Sequence, residues 1–221
     1  MDIKAFIFDL DGVIVDTAKY HYLAWCELAE RLGFKFSEAD NEKLKGISRQ
    51  ESLNILLNIG QLSFDEEYKK VLADRKNERY LSYVKEMSPT EILPGVLEFL
   101  KEAKSKGIKI ALGSASKNAM IILERLNLTN LFDAIIDGTK VSNAKPDPEV
   151  FLNAAKSIGV NPEQCVVFED ADAGVCAAKN AGMYCVGIGA RYILGKANVV
   201  IPGFSNTSIN QIFEQLKLNK N

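Results

Sequence analysis

Residues 6–17 have the sequence FIFDLDGVIVDT, and this stretch decides the fold class. The apolar run before Asp9 is typical of a buried parallel strand, because helices cover both faces of such a strand. Asp9 and Asp11 come where the strand ends, and Gly12 lets the chain turn there. Open α/β sheets bind ligands at this end of their strands, where one carboxylate can act as a nucleophile and a second can move protons. A plain turn that closes a strand gives the same pattern, so further signals must decide.

The rest of the chain predicts a parallel sheet with an insertion. Short apolar runs alternate with amphipathic helical patterns from about residue 92 onward. This alternation predicts an α/β fold with a doubly wound, Rossmann-like parallel sheet. Because residues 17–90 have helical spacing and no convincing strand, we predict a core domain of residues 1–16 and 91–221 and an all-helical cap domain between them. The predicted later strands are residues 108–112, 134–136, 165–168, 185–188 and 199–201.

Composition excludes several classes of protein. The 221 residues are 47% hydrophobic and 25% charged with a formal net charge of −2, which is typical of a soluble globular protein. No block of like charge stands out, so we expect no nucleic-acid partner and no anionic membrane partner. No apolar run approaches the ~20 residues of a membrane-spanning helix. The first predicted strand leaves no room for a signal peptide ahead of it, so we expect a cytoplasmic protein.

The cysteine pattern indicates structural residues. The four cysteines are scattered and form no C-x-x-C pair. We therefore predict small apolar core residues, and neither disulfides nor zinc ligands. They are Cys26, Cys165, Cys176 and Cys185.

Two further polar residues follow predicted strands. Ser114 lies in KIALGSASKN, where a hydroxyl and the neighbouring backbone N–H groups can hold an anion. A serine-rich helix cap is the alternative. Lys145 lies in NAKPDPEVF, beside a rigid turn, where its ammonium could neutralise a phosphoryl group and an aspartate together. A lone lysine near a turn is more often simply solvated.

Glu169 and Asp170 follow the predicted strand of residues 165–168. Together with Asp9 they could supply oxygen ligands to Mg²⁺, although an acidic N-cap for a helix starting near Asp172 is the alternative. The order along the chain is a nucleophilic acid, an anion cradle, a lysine and an acid pair. Phosphoryl transfer requires this set, since the protein must mainly position and neutralise charge.

These four motifs resemble those of the haloacid dehalogenase superfamily of phosphotransferases, and the resemblance covers the whole chain. It implies that Asp9 is phosphorylated, that Asp11 is the general acid and base, and that Ser114 and Lys145 hold the phosphoryl oxygens. One departure is visible, because Ala171 stands where the family commonly has serine. The resemblance implies one Mg²⁺ per subunit, with ligands from Asp9, the backbone carbonyl of Asp11, Glu169 and Asp170.

Within this superfamily the stretches DLDGVIVDTAKYHYLAW, LKGISRQESL, DRKNERY and SASKN are similar to sugar-phosphate mutases. The resemblance implies that β-glucose 1-phosphate and glucose 6-phosphate are interconverted, with β-glucose 1,6-bisphosphate as primer and intermediate. It also implies that His21 and Lys76 help to place Asp11, although His21 could simply be a packing residue. Trp25, Leu23 and Leu28 are predicted to form the core of the cap.

A sugar bisphosphate has two anionic ends and therefore needs two phosphate sites. Arg49 suits the second site because its planar guanidinium binds phosphate through two hydrogen bonds. Without the resemblance, a solvated arginine at a helix start is the simpler interpretation. The predicted substrate-binding residues are Thr17, His21, Lys45, Gly46, Arg49, Ser52, Lys76, Ser116, Lys117 and Asn118.

Three alternatives to the mutase stay open at this point. A small sugar-phosphate phosphatase with the same catalytic residues is the main one. A phosphonate hydrolase that uses a cap lysine is disfavoured by the context of Arg49, and a catalytically silent binding domain is disfavoured because no motif acid is lost. The expected partners are small sugar phosphates, and we expect a monomer because the cap must move.

Overall fold

The computed structural model describes residues 2–44 and 47–218. Lys45 and Gly46, which were predicted to bind substrate, lie outside the described residues. The chain divides into two compact units. We call Met1–Asp16 with Ser88–Asn221 the core unit, and Thr17–Met87 the helical unit.

The core unit is built on one sheet of six strands, all paired in parallel. Its order is β3-β2-β1-β4-β5-β6, so the predicted doubly wound sheet is confirmed. The prediction ended β4 one residue early, because Glu169 still pairs with Gly187 of β5. It also began β2 one residue early and β5 one residue late. The strands are β1 (Ala5–Phe8), β2 (Lys109–Gly113), β3 (Ala134–Ile136), β4 (Cys165–Glu169), β5 (Tyr184–Ile188) and β6 (Val199–Ile201).

The helical unit contains α1 (Ala18–Arg31), α2 (Glu38–Glu42), α3 (Arg49–Ile59) and α4 (Glu66–Lys85). Trp25 and Leu28 are buried in its core, as predicted. The prediction was wrong for Leu23, which is 44% exposed. An α-helix turns by about 100° per residue, which places Leu23 opposite the face that carries Trp25 and Leu28.

The helices of the core unit are α5 (Val96–Ser105), α6 (Ala119–Arg125), α7 (Glu149–Ser157), α8 (Asp172–Asn180) and α9 (Ile209–Leu218). In the part of the chain that the structure describes, no helix combines the length and apolar character needed to cross a membrane. All four cysteines are free thiols. Cys165 and Cys185 are buried in strands as predicted. Cys26 is only partly buried but packs against the core of the helical unit, whereas the prediction of a core position was wrong for Cys176, which is partly buried on α8.

Strand β1 lies at the centre of the sheet and is completely buried. Phe6 and Phe8 point to the same face because side chains alternate along a strand. On that face the ring of Phe8 stacks on Phe168 of β4, with 4.6 Å between the ring centres. The register that pairs Phe8 with Phe168 also fixes where the two strands end, and it therefore aligns the residues that follow them.

Candidate active site

The carboxyl ends of β1 and β4 meet at the point where the strand order reverses. The chain builds the sheet outward from β1 on one side through β2 and β3, and on the other side through β4, β5 and β6. Open α/β sheets bind ligands in the crevice at such a switch point. Asp9 directly follows β1, and its backbone N–H donates to the carbonyl of Phe168 at 3.0 Å. Glu169 ends β4, so two buried acids lie side by side at the switch point.

Lys145 lies in the loop between β3 and α7, and its side chain contacts both acids. Its Nζ donates to Oδ1 of Asp9 at 2.7 Å and lies 3.6 Å from Oε1 of Glu169. The side chain of Lys145 is only 8% exposed, and its ammonium lies 4.8 Å from the ring centre of Phe151. Burial alone lowers the pKa of Lys145, but the carboxylates of Asp9 and Glu169 outweigh burial and raise that pKa above its usual value. Lys145 is therefore a buried cation held in place by the two acids, and the alternative of a solvated lysine near a turn does not apply.

The acid cluster fits a hard divalent cation. Asp9, Glu169 and Asp170 each offer an oxygen, and these atoms lie within 4.8 Å of one another. Oε2 of Glu169 is buried and has no hydrogen-bond partner among the described residues. Burial raises the pKa of Glu169 well above its usual value, with Lys145 opposing and Asp9 adding to the effect. Burial, Asp9 and Asp11 raise the pKa of Asp170 to about 7. A cation such as Mg²⁺ would give the buried oxygen a partner and relieve the repulsion, so the donor set fits it.

Two glycines make room for the acid pair. Gly12 has a φ of +76° in the turn after β1, and a Cβ added there would overlap Oδ2 of Asp170. Gly174 lies inside α8, and a Cβ there would overlap Oε1 of Glu169. Sequence reasoning identified Gly12 only as a turn residue and missed Gly174. The available signal was a glycine inside a helical pattern shortly after the acid pair, because such a glycine usually has a packing reason.

The start of α8 excludes the alternative interpretation of Asp170. The helix begins at Asp172, and its N-cap is Ala171 in an extended conformation. Asp170 is therefore not the helix cap, which removes the alternative explanation of this acid. Ala171 provides no side-chain hydrogen bond to the helix start.

Ser114 follows β2, the neighbour of β1, and is buried. Its Oγ accepts a hydrogen bond from the backbone N–H of Ser116 at 3.1 Å. Oγ of Ser116 accepts in the same way from the N–H of Asn118 at 3.3 Å, and Asn118 is the N-cap of α6. A hydroxyl that accepts one hydrogen bond keeps its own proton to donate. Ser114 and Ser116 can therefore each donate to an anionic oxygen, while Lys117 between them and α6 is exposed.

Arg49 begins helix α3 in the helical unit. The helix starts there because Oγ of Ser48 accepts from the backbone N–H of Glu51 at 3.2 Å. Arg49 is partly buried, and burial lowers its pKa while the charge of Asp74 opposes this shift. The guanidinium remains charged at neutral pH because its usual pKa is far higher. Arg49 is thus a partly desolvated cation, which is suited to an anionic ligand.

Of the other residues of the helical unit that were predicted to bind substrate, those that the structure describes are buried or paired within the unit. Thr17 and Ser52 are buried. Nζ of Lys76 lies 2.7 Å from Nδ1 of His21, so the structure brings this predicted pair together. That these residues meet residues of the core unit at one substrate site stays a prediction.

The doubly wound parallel sheet with an acid cluster at its switch point is the arrangement expected of the haloacid dehalogenase superfamily. The chain belongs to the haloacid dehalogenase-like hydrolase family, whose model matches residues 3–182. It is 42% identical to the β-phosphoglucomutase of Bacillus subtilis (strain 168), over 96% of this chain and 95% of that protein. It is 37% identical to a phosphorylated carbohydrates phosphatase of Thermotoga maritima, over 81% and 82% of the two chains. The crystal structure of a β-phosphoglucomutase from Clostridium difficile superposes with a TM-score of 0.92, at 46% identity over 98% of each chain.

Removing one acid of the cluster should weaken Mg²⁺ binding. We expect calorimetric titration of the parent protein to give one Mg²⁺ per chain, and Asp170→Asn to bind it at least about tenfold more weakly, because a charged ligand is lost. Gly174→Ala should have the same effect, since its methyl group displaces the carboxylate of Glu169.

Asp172→Asn is the matched control for this titration. Asp172 is an exposed acid two residues further along that pairs with Lys196 at 3.0 Å, and its loss removes the same charge. We expect this variant to bind Mg²⁺ like the parent. Equal affinity for the Asp170→Asn variant and the parent would contradict the assigned metal site.

Proposed function

We propose that the chain interconverts β-D-glucose 1-phosphate and glucose 6-phosphate, the reaction of β-phosphoglucomutases, and that β-glucose 1,6-bisphosphate is its primer and intermediate. Phosphoryl transfer is supported by the position of Lys145, whose ammonium lies between the side chains of Asp9 and Glu169 at the switch point of the sheet. The sugar is supported by the 42% and 46% identity to two β-phosphoglucomutases over nearly the whole chain. A cytoplasmic location and a monomeric state remain predictions.

Asp9 is the nucleophile in this proposal. Its carboxylate attacks phosphorus of the bound bisphosphate, the bond from phosphorus to the sugar oxygen breaks, and Asp11 gives a proton to that oxygen. Glucose 6-phosphate then leaves, and β-glucose 1-phosphate binds with its 6-hydroxyl towards the phosphorylated Asp9. Asp11 takes the proton of this hydroxyl, and the hydroxyl oxygen takes the phosphoryl group from Asp9, which regenerates β-glucose 1,6-bisphosphate. Asp11 therefore acts as acid in one half of the cycle and as base in the other.

The remaining groups around Asp9 neutralise charge. The ammonium of Lys145 holds Oδ1 of Asp9 in place, and it faces the charge that develops on the phosphoryl oxygens. Ser114 donates its hydroxyl proton to one of those oxygens. Mg²⁺, when bound, supplies positive charge next to the transferring group. The residues that would hold it are Asp9, Glu169 and Asp170, whose oxygens lie within 4.8 Å of one another. The resemblance to the superfamily adds the backbone carbonyl of Asp11.

Each unit also has groups suited to the phosphate that is not transferred. In the helical unit we propose Arg49, a partly buried cation at the start of α3. In the core unit we propose the loop after β2, where Ser116, Lys117 and Asn118 offer hydroxyl, ammonium and amide donors. A bisphosphate held at both ends has its sugar hydroxyl aligned for attack, and this is the main way in which binding energy speeds such a step.

A sugar-phosphate phosphatase is the second candidate, and the relatives give a specific reason for it. The chain is also 34% identical to a fructose-1-phosphate phosphatase of Escherichia coli (strain K12), over 82% of this chain and 94% of that protein. A phosphatase would use Asp9 in the same way but would pass the phosphoryl group to water. The two candidates therefore differ only in the acceptor.

Product analysis separates the two candidates. The protein is incubated with β-glucose 1-phosphate, Mg²⁺ and a trace of β-glucose 1,6-bisphosphate, and the products are separated by ion-exchange chromatography. We expect glucose 6-phosphate to form and free glucose to be a minor product. Asp9→Asn, which keeps the size of the side chain but cannot attack phosphorus, should abolish turnover. Free glucose and inorganic phosphate as the main products would contradict the mutase and support the phosphatase.

Arg49→Ala should separate binding of the second phosphate from the chemistry at Asp9. We expect kcat/KM for the mutase reaction to fall by about 30- to 1,000-fold, because a charge-assisted hydrogen-bonded contact is lost. Hydrolysis of acetyl phosphate should change little, since acetyl phosphate has no second phosphate. Arg31→Ala is the matched control, because Arg31 is an exposed arginine of the same unit that pairs with Glu27. Equal losses on the two substrates for Arg49→Ala would show that Arg49 supports structure and does not bind phosphate.

A further inference from the structure

Lys76 is a cation buried inside the helical unit. It lies on α4 and is only 3% exposed. Its Nζ lies 4.4 Å from the ring centre of Trp25 on α1 and 5.1 Å from the ring centre of Tyr80, one turn further along α4. Burying an ammonium is costly unless other groups replace its hydration. The faces of aromatic rings attract cations at these distances, so the two rings stabilise the protonated form of Lys76.

The protonated form of Lys76 fixes the state of His21. Nζ of Lys76 lies 2.7 Å from Nδ1 of His21, and an ammonium has only donors. When Lys76 is an ammonium, Nδ1 accepts this hydrogen bond, and a neutral ring then carries its proton on Nε2. The ring of His21 also stacks on Tyr80, with 4.1 Å between the ring centres. Tyr80 thus contacts both members of the pair.

The charges around His21 act in the same direction. Burial has the largest effect, and the positive charges of Lys76 on α4 and Arg49 on α3 add to it, so that the pKa of His21 lies well below its usual value. The ring stays neutral at physiological pH. A neutral ring whose Nδ1 accepts from Lys76 has an Nε2–H free to donate.

We propose that Trp25 and Tyr80 are positioning residues, whose rings hold Lys76 as an ammonium so that Lys76 holds His21 as the Nε2–H tautomer, ready to donate to an oxygen of the sugar phosphate. The identity of that acceptor rests on the proposed function. The tautomer is a property of the free protein, so it is tested without any substrate.

His21 and Asp11 have different roles in this arrangement. A neutral histidine whose Nδ1 is already engaged by an ammonium donates one hydrogen bond and does not take up a proton. His21 therefore orients a substrate oxygen, and proton transfer is left to Asp11. Trp25 therefore does more than fill the core. A leucine at this position could also be buried, but it has no aromatic face to hold the ammonium of Lys76.

The test is long-range proton–nitrogen NMR correlation of the imidazole, which is free of overlap because His21 is the only histidine of the chain. In the free parent protein we expect the Nε2–H pattern, with protonation of the ring only at a pH well below the usual pKa of histidine. Trp25→Leu should give a mixture of tautomers, and the pKa of His21 should rise towards its usual value. Trp25→Phe keeps an aromatic face and should preserve the parent pattern.

Kinetics of the same variants link the tautomer to turnover. We expect Trp25→Leu to lower kcat for the sugar phosphate by about 3- to 30-fold, the range that loss of a cation–π contact allows, with a smaller effect on KM. Tyr80→Phe keeps the ring and should retain most of kcat. Leu57→Ala is the structural control, because it removes a buried apolar side chain of the same core without removing a ring, and it should leave the tautomer unchanged.

Two results would overturn the proposal. One is a parent His21 that titrates with an ordinary pKa or carries its proton on Nδ1. The other is a folded Trp25→Leu variant with the parent tautomer and parent kcat. If product analysis instead shows a phosphatase, the NMR result still decides whether the rings hold Lys76 and His21 as proposed.

Discussion

The ammonium of Lys145, held between the carboxylates of Asp9 and Glu169, is the interaction on which the rest of the site depends. Three charged side chains that are almost completely buried would be strongly unfavourable one at a time, but together they compensate one another. The excess of acid that remains, with Asp170 added, makes the site attractive to a divalent cation. The cluster thus fixes the nucleophile, neutralises charge and prepares a metal site at one place.

The sheet brings these groups together from distant parts of the chain. Lys145 lies 136 residues after Asp9 and reaches it only because the central strands run in parallel and end at the same edge. The register of Phe8 with Phe168 aligns the residue after β1 with the last residue of β4. Gly12 and Gly174 then leave space for the acid pair, so the packing of the backbone, as much as the acids themselves, determines the geometry.

The sequence predicts the sheet and the acids well because both depend on local signals. Apolar runs indicate the strands, and Asp9 and the Glu169–Asp170 pair follow such runs directly. Burial of Lys145 is not readable from its neighbours, since it depends on contacts across the sheet. Gly174 was missed for the same reason, because the group that needs its space lies on another element. The contact of Lys76 with the rings of Trp25 and Tyr80 joins α1 to α4, so it could not be predicted from either helix alone. Helical spacing predicted Trp25 only as a core residue, and it placed Leu23 in the core incorrectly.

The central claim is that Asp9, clamped by Lys145, carries the phosphoryl group during turnover. Its most direct test is to quench the protein with acid during reaction with β-glucose 1,6-bisphosphate and to reduce it with borohydride, which converts an aspartyl phosphate to homoserine. Mass spectrometry of the peptides then locates the converted residue. We expect conversion at Asp9 alone. Conversion at Asp11 or Asp170, or turnover without any converted aspartate, would contradict the claim.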